Sequence, residues 1–257
     1  MIKRTSLEQI LQKPSIVCLT AYTAPIANLV DGEVDLILVG DSLGQVLYGY
    51  ESTKQVTMEM MINHAKAVVQ ATKKSFVVVD MPYGSYQKSK IQALKNAKKI
   101  LSLTGAMAVK LEGGENIHDT VRYLINNEVK VMGHIGMMPQ YLDKPKVYGS
   151  TKKEKNQFFK DALLLEKAWV FSIVVECTFK KLVDKLVKSC SVPIIGIGAS
   201  INCKGQIMVT EDILDMTKFN SKFSKKYFEF FKKARNSIQK YSDEVRKKKY
   251  PKRNQCY

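Results

Sequence analysis

The chain has 257 residues, 45% of them hydrophobic and 25% charged, the balance of an ordinary globular protein. A wholly disordered chain is excluded, and no apolar run reaches the ~18 residues of a membrane helix. The net charge of +17 is concentrated at one end, because residues 217–257 hold 14 Lys/Arg against 3 Asp/Glu.

Taken in chain order, the N-terminus leads into an amphipathic stretch with no secretory signal. Apolar, β-branched runs then alternate with helix-period segments. The strands expected are 15–19, 35–39, 76–79, 106–111, 129–132, 170–175, 192–197 and a short eighth at 207–209. Their unbroken apolar character suits strands buried on both faces of a parallel sheet. Between them, Met58, Met61, Ile62, Ala65, Val68 and Val69 share a helix face behind the candidate N-cap Thr57. Ile91, Ala93, Leu94, Ala97 and Ile100 form a second stripe. Phe158, Phe159, Ala162, Leu163 and Leu165 form a third, and Leu182, Val183, Leu186 and Val187 a fourth. The alternation predicts an α/β fold over residues 1–257 as one domain. Eight strands favour a (β/α)8 TIM barrel, with an open doubly wound sheet as the alternative. Gly196-Ile197-Gly198 does not extend into a dinucleotide fingerprint after the first strand. Phe219–Tyr250 reads as a helical, basic C-terminal tail of one or two helices, packed on the barrel or on a neighbouring subunit.

Of the 41 basic residues, 36 are Lys. Arg is the preferred residue for bidentate phosphate recognition, so the tail reads as a solvated lysine-rich face, and no nucleic-acid partner is expected. Cys18, Cys177, Cys190, Cys203 and Cys256 are scattered, with no CxxC pair. The expectation is a reduced, cytoplasmic protein without a membrane partner.

The informative pattern is what ends each strand. Asp41-Ser42 follows the second and Asp80 the third, Lys110 and Glu112 sit at the end of the fourth, His134 follows the fifth and Glu176 ends the sixth. In a barrel those ends converge on one mouth, where active sites are built. Any one of them alone would read as a turn or cap residue. Gathering charges on five consecutive strands without a metal or mutual pairing is too costly to be incidental. Carboxylates with one Lys and no Cys–His cluster suit a hard cation, Mg²⁺, with Mn²⁺ or Co²⁺ as alternatives. Such a cation can chelate a 2-oxo acid and acidify the adjacent C–H. Glu176, after three apolar residues, is the candidate base because desolvation disfavours its charged form.

The same residues carry a resemblance. Leu38–Gly44, Val79–Tyr83, Val109–Gly114, Gly133–Gly136, Pro139-Gln140, Val175–Cys177, Pro193–Ala199, Gly205–Ile207 and Tyr241–Pro251 resemble the ketopantoate hydroxymethyltransferase family. The resemblance implies a Mg²⁺-dependent (β/α)8 barrel. It implies transfer of a hydroxymethyl group from 5,10-methylenetetrahydrofolate to 3-methyl-2-oxobutanoate, forming 2-dehydropantoate for pantothenate and coenzyme A. Asp41, Asp80 and Glu112 would form the metal site. Asp41, Ser42, Asp80, Lys110 and His134 would face the 2-oxo acid, with Lys110 offsetting charge and His134 at or just behind the substrate. Glu176 would accept the proton. A homo-oligomer, a decamer of two pentamers, is also implied. The chain departs from the family's pattern at Lys204, at Val69-Gln70, in a short loop over Tyr141–Ser150 and at Trp169–Ser172, read as opening the sixth strand. Two rivals are a Mg²⁺-dependent enzyme of the phosphoenolpyruvate mutase and isocitrate lyase kind, and a non-catalytic basic binding protein.

Overall fold

The computed structural model describes residues 4–142 and 146–257. Residues 143–145, within the loop expected to be short, lie outside the described set. The chain divides into a barrel unit ending at Val209 and a C-terminal unit, Thr210–Tyr257.

In the barrel unit, β1 (Ile16–Thr20), β2 (Leu36–Val39), β3 (Phe76–Asp80) and β4 (Ala108–Glu112) are followed by β5 (Val131–Gly136), β6 (Ser172–Glu176), β7 (Ile194–Ile197) and β8 (Gly205–Met208). They close into a parallel barrel in chain order, β8 pairing back onto β1. The doubly wound alternative is thereby excluded. The helices are α1 (Leu7–Leu11), α2 (Ala24–Val30), α3 (Leu43–Tyr48), α4 (Met58–Ala71), α5 (Lys90–Thr104), α6 (His118–Asn126), α7 (Lys152–Lys167) and α8 (Lys180–Ser189). Thr57 caps α4 as expected, its side chain accepting from Met60 N. Two helical stripes turn relative to the expected faces. Ile91 is 69% exposed and Leu163 48% exposed, while α5 buries Ala93, Ala97, Ile100 and Thr104. Residue type set those expectations, and the small residues Ala93 and Ala97 are what fits close to the sheet.

Strand side chains alternate between two buried layers. Outward residues such as Val77, Val79, Val109, Leu111, Ile173 and Val175 pack in the layer that includes the helices. Inward residues Leu36, Leu38, Phe76, Val78, Ala108, Met132, Val174, Ile195 and Ile207 fill the barrel. The expected strands therefore need correction at both ends. Asp35, Ala106, Val129, Val170 and Val192 precede the ladder, whereas Asp80, Glu112, His134 and Glu176 lie inside it. Asp80 and His134 thus do not follow their strands, and with Glu112 and Glu176, expected at the ends of theirs, they complete the inward columns Phe76–Val78–Asp80, Ala108–Lys110–Glu112, Met132–His134 and Val174–Glu176. Trp169 does not open the sixth strand. It is 81% exposed, at φ +67°, three residues before β6 begins.

The C-terminal unit contains α9 (Thr210–Ile213) and α10 (Phe230–Arg246). The helix expected from Phe219 starts only at Phe230. The Ser221 and Ser224 hydroxyls bond each other, and Ser224 N donates to Ser221 Oγ, which competes with helical pairing. Tyr227 N and Phe230 N donate to the carbonyls of Ile213 and Leu214, returning this segment to α9. No residue of α10 is buried.

Candidate active site

The register of the strands assembles the mouth. Asp80 pairs with Lys110 across β3 and β4, and Glu112 with His134 across β4 and β5. Lys110 Nζ lies 3.0 Å from Asp80 Oδ1 and 3.2 Å from His134 Nδ1. His134 Nδ1 is 3.5 Å from Glu112 Oε1, and its Nε2 is 3.3 Å from Glu176 Oε2 and 3.1 Å from the Met137 carbonyl. Asp41 N donates to Asp80 Oδ2 over 3.0 Å. Asp41, Asp80, Lys110, Glu112 and His134 are all buried. Glu176 is less deeply buried than these, its side chain 17% exposed. Ser42 follows Asp41 at the start of α3, where its hydroxyl makes no helix cap. It meets the buried Tyr22 hydroxyl at 2.7 Å instead. A Cβ at Gly40 would come within 2.8 Å of Ser42 Oγ, so that hydroxyl would have to shift from its place beside Tyr22.

Charge explains the protonation states. Burial, then the neighbouring Asp80, push the Asp41 carboxyl up to about 7, against the pull of Lys110 and of the Gln140 amide. Burial also raises Glu112 well above the carboxylate range, helped by Asp41. Burial alone would lower Lys110, but Asp80, Glu112 and Asp41 outweigh it and hold the ammonium charged. His134 is held below its ordinary value by burial and by Lys110, so its ring is neutral at pH 7. An ammonium only donates, so Nδ1 accepts from Lys110 and Nε2 carries the ring proton. That proton faces the Met137 carbonyl and Glu176.

Two residues not singled out for a role complete the mouth. Gln140 Nε2 donates to Asp41 Oδ2 at 2.8 Å and to the Met81 carbonyl at 3.0 Å. Gln140 N donates to Glu112 Oε2 at 2.9 Å. The Tyr86 hydroxyl, fully buried, lies 2.6 Å from Gln140 Oε1 and 3.0 Å from the Glu112 carbonyl oxygen. Both residues sit in loops without periodicity, so no pattern in the sequence marks them beyond the matching Pro139-Gln140 pair.

The arrangement fits a hard divalent cation. Asp80 Oδ1 is buried with the Lys110 ammonium as its close partner, 3.0 Å away. Three ionised carboxylates beside one ammonium would leave surplus negative charge in a water-poor mouth. Among the described residues no three His, Cys, Asp or Glu side chains form a ready-made ligand cluster. Mg²⁺ commonly uses one or two carboxylates and keeps several waters. Both Glu112 oxygens already face protein groups, which suits contact through water.

Comparison with known proteins decides the family. The family model for ketopantoate hydroxymethyltransferase matches residues 2–253. A 3-methyl-2-oxobutanoate hydroxymethyltransferase of Pelagibacter ubique strain HTCC1062 is 44% identical, covering 95% of each chain. Its namesake from Rhodospirillum rubrum is 46% identical over 94% of this chain and 88% of its own. The chain belongs to the ketopantoate hydroxymethyltransferase family. The barrel itself is shared more widely. A phosphonopyruvate hydrolase solved with oxalate and Mg²⁺ superposes with a TM-score of 0.61 at 10% identity, covering 94% of this chain and 88% of that one. That likeness is one of fold alone. Membership of the hydroxymethyltransferase family, an enzyme family, therefore separates this chain from the mutase and lyase rivals. No helix among the described residues is long and apolar enough to cross a membrane.

Proposed function

We propose that the barrel mouth transfers a hydroxymethyl group from 5,10-methylenetetrahydrofolate to 3-methyl-2-oxobutanoate, giving 2-dehydropantoate in pantothenate biosynthesis. The reading rests on one observation above the others. In a chain of this family, a buried Asp80–Lys110 pair stands beside a His134–Glu176 pair at the ends of neighbouring strands. The first pair suits an acidic substrate, and the second suits removal of a carbon-bound proton.

Glu176 takes the proton from C3 of the 2-oxo acid. Its side chain keeps partial exposure through which substrate reaches it, and the His134 Nε2–H fixes the orientation of its carboxylate. Lys110 offsets the charge that develops as that proton leaves. Ser42, braced by Tyr22, and Lys110 hold the carboxylate end of the substrate. The C3 carbon then forms a bond to the folate's methylene carbon. Tetrahydrofolate departs, and water supplies the hydroxyl oxygen. Asp41 and Asp80 would hold Mg²⁺, with Glu112 reaching it through water, and the bound cation would supply Lewis-acid polarisation of the substrate carbonyl. A cytoplasmic homo-oligomer, a decamer of two pentamers, completes the proposal.

The test is product formation from 3-methyl-2-oxobutanoate and methylenetetrahydrofolate, followed by mass spectrometry. The expected result is 2-dehydropantoate that requires both folate and divalent cation. Folded protein supplied with Mg²⁺ and both substrates, yet making no product, would refute the reading.

A further inference from the structure

We infer that Gln140 is a positioning residue that selects which oxygen of Asp41 faces the cation site. The inference rests on the metal-assisted reading above and concerns a side chain outside the proposed ligand set. Gln140 is 1% exposed, and its side chain is fully committed. Both amide hydrogens are used, one on Asp41 Oδ2 and one on the Met81 carbonyl. Oε1 faces the Tyr86 hydroxyl and, at 3.4 Å, Gln87 Nε2. The orientation of the amide follows from this network, because a backbone carbonyl can only accept, and so the atom facing Met81 is the nitrogen.

The residue type matters. One end must donate to two acceptors while the other accepts a hydroxyl proton. A glutamate could not donate at the first end when ionised, and a lysine could not accept at the second. Gln140 thus ties together the chain after β2, β3, β4 and β5 through Asp41, Met81 with Tyr86, Glu112 and its own loop. Its bonds occupy Asp41 Oδ2 and Glu112 Oε2, so the opposite oxygen of Asp41 is the one turned away from the amide. Preorganising a ligand oxygen through an outer hydrogen bond is worth about 10–100-fold in metal affinity.

The test is Mn²⁺ binding to the full chain, read by electron paramagnetic resonance of free Mn²⁺. Wild type, Gln140→Met, Asp41→Ala and the double variant are compared. Gln140→Met should bind about tenfold more weakly. In the Asp41→Ala background the same change should cost nothing further, since the carboxylate it orients is gone. A merely structural role would lower affinity equally in both backgrounds. Tyr86→Phe gives a second route if Gln140→Met does not fold; it frees Oε1 without touching the Asp41 bond and should weaken Mn²⁺ about threefold. Wild type that binds no Mn²⁺ would overturn both this inference and the metal-assisted reading. Wild type that binds, with Gln140→Met or Tyr86→Phe equal to it, would overturn the inference alone.

Discussion

Two regions of this molecule bury an acid whose pKa is pushed up to about 7, and they do so in opposite ways. In the barrel mouth, Asp41 is flanked by Asp80, Lys110 and the Gln140 amide. In the C-terminal unit, Glu211 lies in the one-turn α9, also raised to about 7 by burial and by Asp212, with Oε2 buried and without a hydrogen-bond partner. The mouth offsets its carboxylates with an ammonium and donors drawn from several strands. The C-terminal turn offsets Glu211 with nothing comparable among the described residues. A perturbed acid therefore does not by itself identify a functional site. Convergence of differently charged groups from separate elements does.

The comparison can be broken most severely at Lys110. Lys110→Met leaves Asp80, Glu112 and Asp41 without their buried cation. The expected loss is about 3–5 kcal/mol of stability by urea denaturation. Added Mg²⁺ should recover part of it if the site takes a cation.

Glu211 gives the next largest effect. Its folded-state pKa of about 7 exceeds the ordinary 4.5, so the folded chain holds this proton more tightly than the unfolded one. Its contribution is complete below about pH 4.5 and is lost as pH rises through 7, roughly 3 kcal/mol in all. Glu211→Gln should remove that slope relative to wild type between pH 5 and 7. Parallel stability profiles for the two proteins would show that Glu211 titrates normally.

Tyr86→Phe should cost about 1–2 kcal/mol, because it deletes a buried hydroxyl whose one proton is shared between Gln140 Oε1 and the Glu112 carbonyl and whose oxygen accepts from Glu112 N. At the small end, Lys226 pairs with Asp215 on the surface of the C-terminal unit, the lysine half-exposed. Lys226→Ala should change stability by less than about 0.5 kcal/mol. Thermal melts distinguish the two, and similar losses would mean that burial is not what separates the regions.

The fold was readable where both layers of a strand are apolar. Phe76–Val79 and Val192–Ile197 announce β3 and β7 because burial on two faces leaves no polar interruption. The eighth strand, expected at 207–209, lies at Gly205–Met208 because Gln206 faces solvent and breaks the run. The short helix α3 carries too little periodicity to be seen, whereas α6 is amphipathic along its length but buries only Val121 and Leu124, a stripe too short to stand out among the longer ones. The strand-end acids were readable because they continue inward columns that the apolar residues begin. Their exact place inside the ladder was not, since hydropathy marks the apolar part of a strand and hydrogen bonding extends further. Gln140 and Tyr86 were silent because an amide and a phenol in irregular loops acquire meaning only from partners distant in sequence.

The central claim is that Glu176 removes the C3 proton of a 2-oxo acid at this mouth. Proton NMR of 3-methyl-2-oxobutanoate in D₂O with Mg²⁺ tests it without folate, comparing wild type with Glu176→Gln. The account predicts loss of the C3 proton signal with wild type and exchange slower by about 10²-fold or more with the variant, while 2-oxo acid binding by calorimetry is retained. Exchange at the wild-type rate in Glu176→Gln, or none in folded, Mg²⁺-supplied wild type, would contradict it.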